Sequence, residues 1–197
     1  MGNLNDPAIR AMLHAALRAG GLVPRDEIPI SIAVVDVLGV SPLGIFHGFE
    51  IKSDVDSLAR LSTQVKGYGL VLDLCTIVTG ARHEARAAAM VPAWWGLWRA
   101  TADGIVTIRD AQPNPTPAGE RAHRLGWPLR HVEAAALCER HECARGVRGR
   151  SCLAMVQRLR SVLGDDAFRQ EVAATLAARR TGPDAHKETV RSLQGGT

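Results

Sequence analysis

AVVDVLGVSPLGIFHGFEIKSDVDSL, residues 33–58, decides the reading of this chain. It holds two apolar, β-branched runs separated by a turn containing Gly39, Pro42 and Gly44. Residues 28–40 read as one strand and residues 44–53 as its antiparallel neighbour. Asp36 lies in the first run, and Glu50, Ile51 and Lys52 lie in the second. Strand side chains alternate, so Glu50 and Lys52 share one face while Phe49 and Ile51 take the other. If Asp36 pairs opposite Glu50, both carboxylates emerge together, with Val35 and Val37 on the core side. Unpaired buried charge is costly, so such a cluster needs a reason. Two carboxylates want a cation between them, and Mg²⁺ is a hard ion that takes oxygen ligands. An internal ion-pair cluster, or charges at strand ends reaching water, would account for the same residues.

Around this hairpin the pattern alternates between helix and strand. Asp6 and Pro7 open a helix with Ile9, Met12, Leu13, Ala16 and Leu17 on its apolar face, stopped by Gly20 and Gly21. After the hairpin, Ser53 or Asp54 is expected to cap a helix that buries Val55, Leu58, Leu61 and Val65 and ends near Gly67 or Gly69. Residues 70–78 read as a central strand, 83–90 as a short Ala-rich helix, and the segments flanking Asp103 and Gly104 as a hairpin. The uncharged AQPNPTPAG, residues 111–119, holds three prolines and reads as a connector. Beyond it all is helical: a segment opened by Trp127 and Pro128, a helix from Ser151 with Leu153, Val156, Leu159 and Val162 on one face, and a last one over 165–179. The division is therefore a core over 1–110, the connector, and a helical region over 120–197.

The 197 residues are 46% apolar and 22% charged, which excludes a mainly disordered chain. No stretch reaches the roughly 18 apolar residues of a membrane span, and no secretory or myristoylation pattern is visible, so a cytoplasmic protein is expected. The four cysteines then read as thiols. Of the net charge of +4, little belongs to the core: residues 1–110 carry 10 Lys/Arg against 11 Asp/Glu, and residues 118–180 carry 12 against 7. The basic excess sits in the helical region, where a solvated face or a phosphate-contacting surface would use it.

The order and spacing of Asp36 and Glu50-Ile51-Lys52, set in helix, strand, hairpin, strand, helix and strand, resemble the PD-(D/E)XK phosphodiesterase superfamily. More closely, EIKSDVDSLARLSTQVKGYGLVLD (50–73), His83 and VPAWWGLW (91–98) resemble a bacterial and phage nuclease family within it, over about residues 27–114. The resemblance implies a restriction-endonuclease-like α/β core of αβββαβ type with a helical C-terminal extension. It implies a metal-dependent nuclease acting on DNA, with RNA open, or a non-catalytic binding module that keeps the fold. Asp36 and Glu50 would hold Mg²⁺ or Mn²⁺ with the carbonyl of Ile51, and Lys52 would orient water or offset charge at the scissile phosphate. Glu27 would be an additional acid, although an exposed carboxylate beside Arg25 explains it equally. Gln64 and Tyr68, one helical turn apart with Arg60 a turn earlier, match a Q-x-x-x-Y pair that approaches the metal in exonuclease-type members; a buried Tyr bonded to Gln is the plainer account. Arg60 would face nucleic acid. Many members of the superfamily are dimers, so a homodimer is among the implied assemblies.

Three further groups stand out. Trp94, Trp95 and Trp98 read as core or lid before base-stacking surface. Cys138, His141, Cys143 and Cys152 offer soft ligands for zinc, but their spacing lacks a C-x2-C knuckle. Arg145, Arg148 and Arg150 lie in a Gly-rich turn before a helix start, a setting that suits phosphate.

Overall fold

The computed structural model describes residues 4–179, Ser31, His123 and Trp127 excepted. Its architecture is mixed α/β. Helix α1 (Asp6–Ala19) precedes strands β1 (Val23–Ile30), β2 (Ala33–Val40) and β3 (Phe46–Lys52), then α2 (Leu61–Gly69), β4 (Leu74–Thr79), α3 (Glu84–Met90), β5 (Gly96–Thr101) and β6 (Gly104–Arg109). Helices α4 (Ala118–Ala122), α5 (His131–Arg140), α6 (Cys152–Leu163) and α7 (Asp165–Ala178) follow. The six strands form one sheet in sequence order. β1, β2 and β3 are an antiparallel meander, β3, β4 and β5 run parallel, and β6 returns antiparallel.

The expected single strand over 28–40 is two strands. Its first part belongs to β1, which starts at Val23 and lies at the sheet edge. An edge tolerates Pro24 and Pro29, and it leaves Asp26 and Glu27 in water, so the strand has neither an apolar run nor regular alternation to announce it. Glu27 adopts a left-handed φ of 53°, and the Glu27–Asp36 pair is missing from an otherwise continuous β1–β2 register. The alternation changes phase there. Val35, Leu38 and Val40 enter the larger apolar core, whereas Val37 enters the smaller one. The expectation that Val35 and Val37 share a face is corrected accordingly.

The smaller core is α1 laid on the sheet: Ile9, Leu13 and Leu17 meet Val37, Phe49, Ile51, Val78 and Ala100. Asn5, not Asp6, caps α1, its side chain accepting from Ala8 N at 3.1 Å. The opposite face carries α2, α3 and the C-terminal helices in one continuous core that includes Tyr68, Trp95, Phe168, Val172 and Leu176. Two helical expectations shift. α2 starts at Leu61, because the Asp56 carboxylate accepts from Ser53 N (2.8 Å) and Ser53 Oγ (2.6 Å) and closes a turn instead; Val55 is exposed. On α6, Leu153 and Val162 are exposed while Met155, Val156 and Leu159 are buried. A strict three-residue spacing drifts off a helix face that repeats every 3.6 residues.

The connector and the last helices are tied to the sheet by polar bonds. Asn114 donates to the carbonyls of Gly69 and Leu72, each at 2.8 Å. The Asp73 carboxylate gathers Arg121 (2.7 Å), Arg169 (2.6 Å) and the backbone N of Phe46 (2.9 Å). At the other edge Arg25 on β1 donates Nε to the carbonyl of Leu176 at 2.7 Å and a second nitrogen to that of Ala177. Trp127, expected to open the helical region, lies outside the described residues. No described helix is long and apolar enough to cross a membrane.

Candidate active site

The β2–β3 register runs through Val37–Phe49, and one residue further it sets Asp36 across from Glu50. There the strands part. In place of a backbone acceptor, Asp36 Oδ2 accepts from Ile51 N at 2.8 Å. Glu50 and Lys52 point toward α2, and Lys52 Nζ lies 2.7 Å from Glu50 Oε1, both side chains being almost wholly buried. Tyr68 on α2 donates its hydroxyl to Glu50 Oε2 at 2.7 Å and accepts from Asp36 N at 3.1 Å, while Gln64 Nε2 donates to Glu50 Oε1. Asp36, Glu50, Lys52, Gln64 and Tyr68 thus form one cluster at the fork between β2 and β3.

Small residues let α2 approach. A Cβ on Gly48 would fall 2.3 Å from Leu72 Cδ1 and 3.1 Å from the Tyr68 ring, and one on Gly67 would fall 2.7 Å from Ala33 Cβ. Trp95 stacks on Tyr68 from behind, with ring centroids 5.5 Å apart. Trp94 packs edge-on against Trp95, and Trp98 lies on the other face against Phe49. Buried Trp95 therefore supports the cluster from within the core, while Trp94 and Trp98 are half-buried.

Burial, followed by the negative charge of Asp36, pushes the Glu50 carboxyl up to about 7, against the pull of Lys52 and Tyr68. Burial likewise raises Asp36, opposed by the Ile51 N–H and by Lys52 and Arg10, and it carries the Tyr68 phenol well above its usual range. A carboxyl raised on folding contributes stability that is fully present below its unfolded pKa near 4.5 and is lost as pH rises through about 7. In EDTA, urea unfolding of the wild type should therefore lose stability between pH 5 and 8 relative to Glu50→Gln, and an equal pH trend in both would refute it.

The fork's donors fit a hard divalent cation. Asp36 keeps Oδ1 free of bonds within the cluster, and Glu50 keeps a lone pair on Oε2. The N–H and C=O of a strand residue point the same way, so the Ile51 carbonyl faces Asp36 with its amide. Gln64 Oε1 and Thr79 Oγ1 are buried without a hydrogen-bond partner, and Thr79 pairs in register with Lys52. Metal-bound waters would satisfy such atoms. Among the described residues no three or more of His, Cys, Asp and Glu converge, and a cation at the fork would rest on two carboxylates and a backbone carbonyl.

Other expected residues lie apart. Glu27, opposite Asp36 at the gap in the β1–β2 register, is exposed and has no hydrogen bond to the cluster. Arg60 is exposed just before α2, its carbonyl accepting from Gln64 N. Of the thiol group, Cys138 lies against Cys143 and faces the Met155 carbonyl, Cys152 faces that of Leu129, and His141 pairs with Glu171 at 2.9 Å, so the four do not gather into one metal-binding group. Arg145, Arg148 and Arg150 are exposed; Arg148 forks onto Glu139 at 3.0 and 3.1 Å, and Ser151 caps α6 beside Arg150. Sequence reasoning missed Thr79, whose signal is a hydroxyl inside a buried apolar strand. It also missed Arg10 on α1, which donates to the Asp36 carbonyl at 2.6 Å.

A family model described as bacteriophage P4 protein cII matches residues 27–185. The chain belongs to the bacteriophage P4 protein cII family. The cII match takes in all five residues of the fork cluster and the Arg145–Arg150 turn, and it begins after α1. A solved structure of the SPO1766 protein of unknown function from Silicibacter pomeroyi aligns with a TM-score of 0.48 and 22% identity, over 71% of this cII-family chain and 93% of that one. No curated protein matches.

Proposed function

We propose that this chain is a metal-dependent nuclease, built on a restriction-endonuclease-like core, that hydrolyses DNA phosphodiester bonds at the fork between β2 and β3. The observation that carries the reading is the meeting of Asp36, Glu50 and Lys52 at the point where the two strands separate. Asp36, Glu50 and the Ile51 carbonyl would hold Mg²⁺ or Mn²⁺, which supplies Lewis acidity toward a phosphoryl oxygen and a more acidic bound water. The Lys52 ammonium, fixed by Glu50, is placed to orient the attacking water and to offset charge gathering on the phosphate. Tyr68 and Gln64 hold Glu50 in one rotamer and serve as positioning groups. The test is cleavage of linear, circular and single-stranded DNA, and of RNA, with Mg²⁺, Mn²⁺ or EDTA. Metal-dependent cutting supports the proposal, and its absence on every substrate overturns it.

A second reading keeps the fold as a nucleic-acid-binding module without turnover. It is favoured by the donors already on Glu50, since Lys52, Gln64 and Tyr68 satisfy three of its lone pairs without any metal. DNA binding without cleavage would select it.

In either reading the basic turn is proposed to contact phosphates. Replacing Arg145, Arg148 and Arg150 together by Ala should flatten the salt dependence of DNA binding by about two to three logarithmic units per decade of salt. Arg148 must first leave Glu139, an exposed pair that holds it weakly. An unchanged slope would return the turn to the role of a solvated loop.

A further inference from the structure

We infer that Arg10 is a positioning residue for Asp36, setting that carboxylate at the fork from the opposite face of the sheet; the inference rests on the metal-site reading above. Asp36 is released from both neighbouring strands. Its pair with Glu27 drops out of the β1–β2 ladder, and pairing with β3 stops at Val37–Phe49. Such a residue has a backbone N–H and C=O with no strand partner, which a partly buried site does not tolerate without substitutes.

Side chains from two helices supply them. From the α2 face, the Tyr68 oxygen accepts from Asp36 N at 3.1 Å. From the α1 face, Arg10 Nη1 donates to the Asp36 carbonyl at 2.6 Å. The guanidinium is itself fixed: Nε and Nη2 donate to the two Asp6 carboxylate oxygens at 3.1 and 3.3 Å, and Nη1 also reaches Asp26 Oδ1 at 3.0 Å. Asp26 is braced in turn by His14, at 2.8 Å. A planar guanidinium can serve these four oxygens in fixed directions, whereas a Lys ammonium on a flexible stem cannot. With both backbone groups of Asp36 pinned, its carboxylate is directed onto Ile51 N, where the second oxygen is free to serve a cation.

The test is Mn²⁺ titration of the full chain without DNA, with steady-state cleavage in parallel, for wild type, Arg10→Ala, Arg10→Lys and Asp26→Asn. Loss of a partner that orients a metal ligand typically weakens metal affinity or activity by about 10- to 100-fold. Arg10→Ala should show that loss in Mn²⁺ affinity and kcat with KM for DNA unchanged. Arg10→Lys should recover part of it, because an ammonium still reaches one carbonyl. Asp26→Asn, which removes one of the anions holding the guanidinium but leaves its bonds to Asp6 and Asp36, should show a smaller loss than Arg10→Ala. Wild-type Mn²⁺ affinity in both Arg10 variants would overturn the inference, as would a Lys variant that loses as much as the Ala variant. If Arg10→Ala does not fold, Arg10→Lys carries the test, and no loss there overturns it. Failure of the wild type itself to bind Mn²⁺ is a separate outcome and removes the metal-site reading beneath.

Discussion

Replacing Asp36 or Glu50 with Ala is expected to remove metal-dependent cleavage, a loss of about three decades of rate at 1.36 kcal/mol per decade. Each substitution would take one anionic oxygen ligand from the proposed cation, which depends on them. Lys52→Ala should separate binding from turnover: both carboxylates remain, so Mn²⁺ still binds while cleavage falls. It should also make Mn²⁺ affinity steeper in pH. Without Lys52, the buried Glu50 carboxyl loses the cation that opposes its upward shift, and ionisation then depends on the metal. DNA affinity carried by the proposed Arg145–Arg150 turn should change little in any of the three. Full-rate cleavage by the Asp36 or Glu50 variant would place the chemistry elsewhere in the chain.

The largest effect on stability is expected at Asp73. One carboxylate holds Arg121 and Arg169, whose side chains are only 6% and 16% exposed, and it also caps Phe46 N. Asp73→Ala leaves two guanidiniums in a largely dry junction without their shared anion. Breaking a buried pair from one side typically costs about 3–5 kcal/mol. Arg169 keeps its bond to the Gly44 carbonyl, and Arg121 keeps one to that of Thr116, so the lower end of that range is expected. Urea unfolding of Asp73→Ala against the wild type measures it, and a change below about 1 kcal/mol would show that water satisfies both arginines.

Alternation alone predicts that Glu50 and Lys52 share a face, and the helical turn between Gln64 and Tyr68 predicts that both look the same way. The cluster was legible because each of these relations is local. What escaped depends on single residues that break a local rule. The left-handed Glu27 changes the phase of β1 and β2, yet Glu is not a residue that announces positive φ. The Ser53–Asp56 turn competes with a helix that the apolar pattern alone would start earlier. Arg10 reaches a carbonyl 26 residues away, and Asp73 meets Arg169 at a separation of 96, distances over which periodicity carries no information.

The bond from Arg25 to the carbonyl of Leu176 joins residues 151 positions apart. It bears on how the molecule reaches this structure. Strand β1 pairs with β2, its neighbour in sequence, but its polar bonds to Leu176 and Ala177 wait for α7, so they belong late in folding. Contacts of such sequence separation slow folding, because a long loop must close before they form. In the described sheet β1 remains an edge strand, a surface open to pairing with another chain, and refolding at high concentration should favour association over recovery.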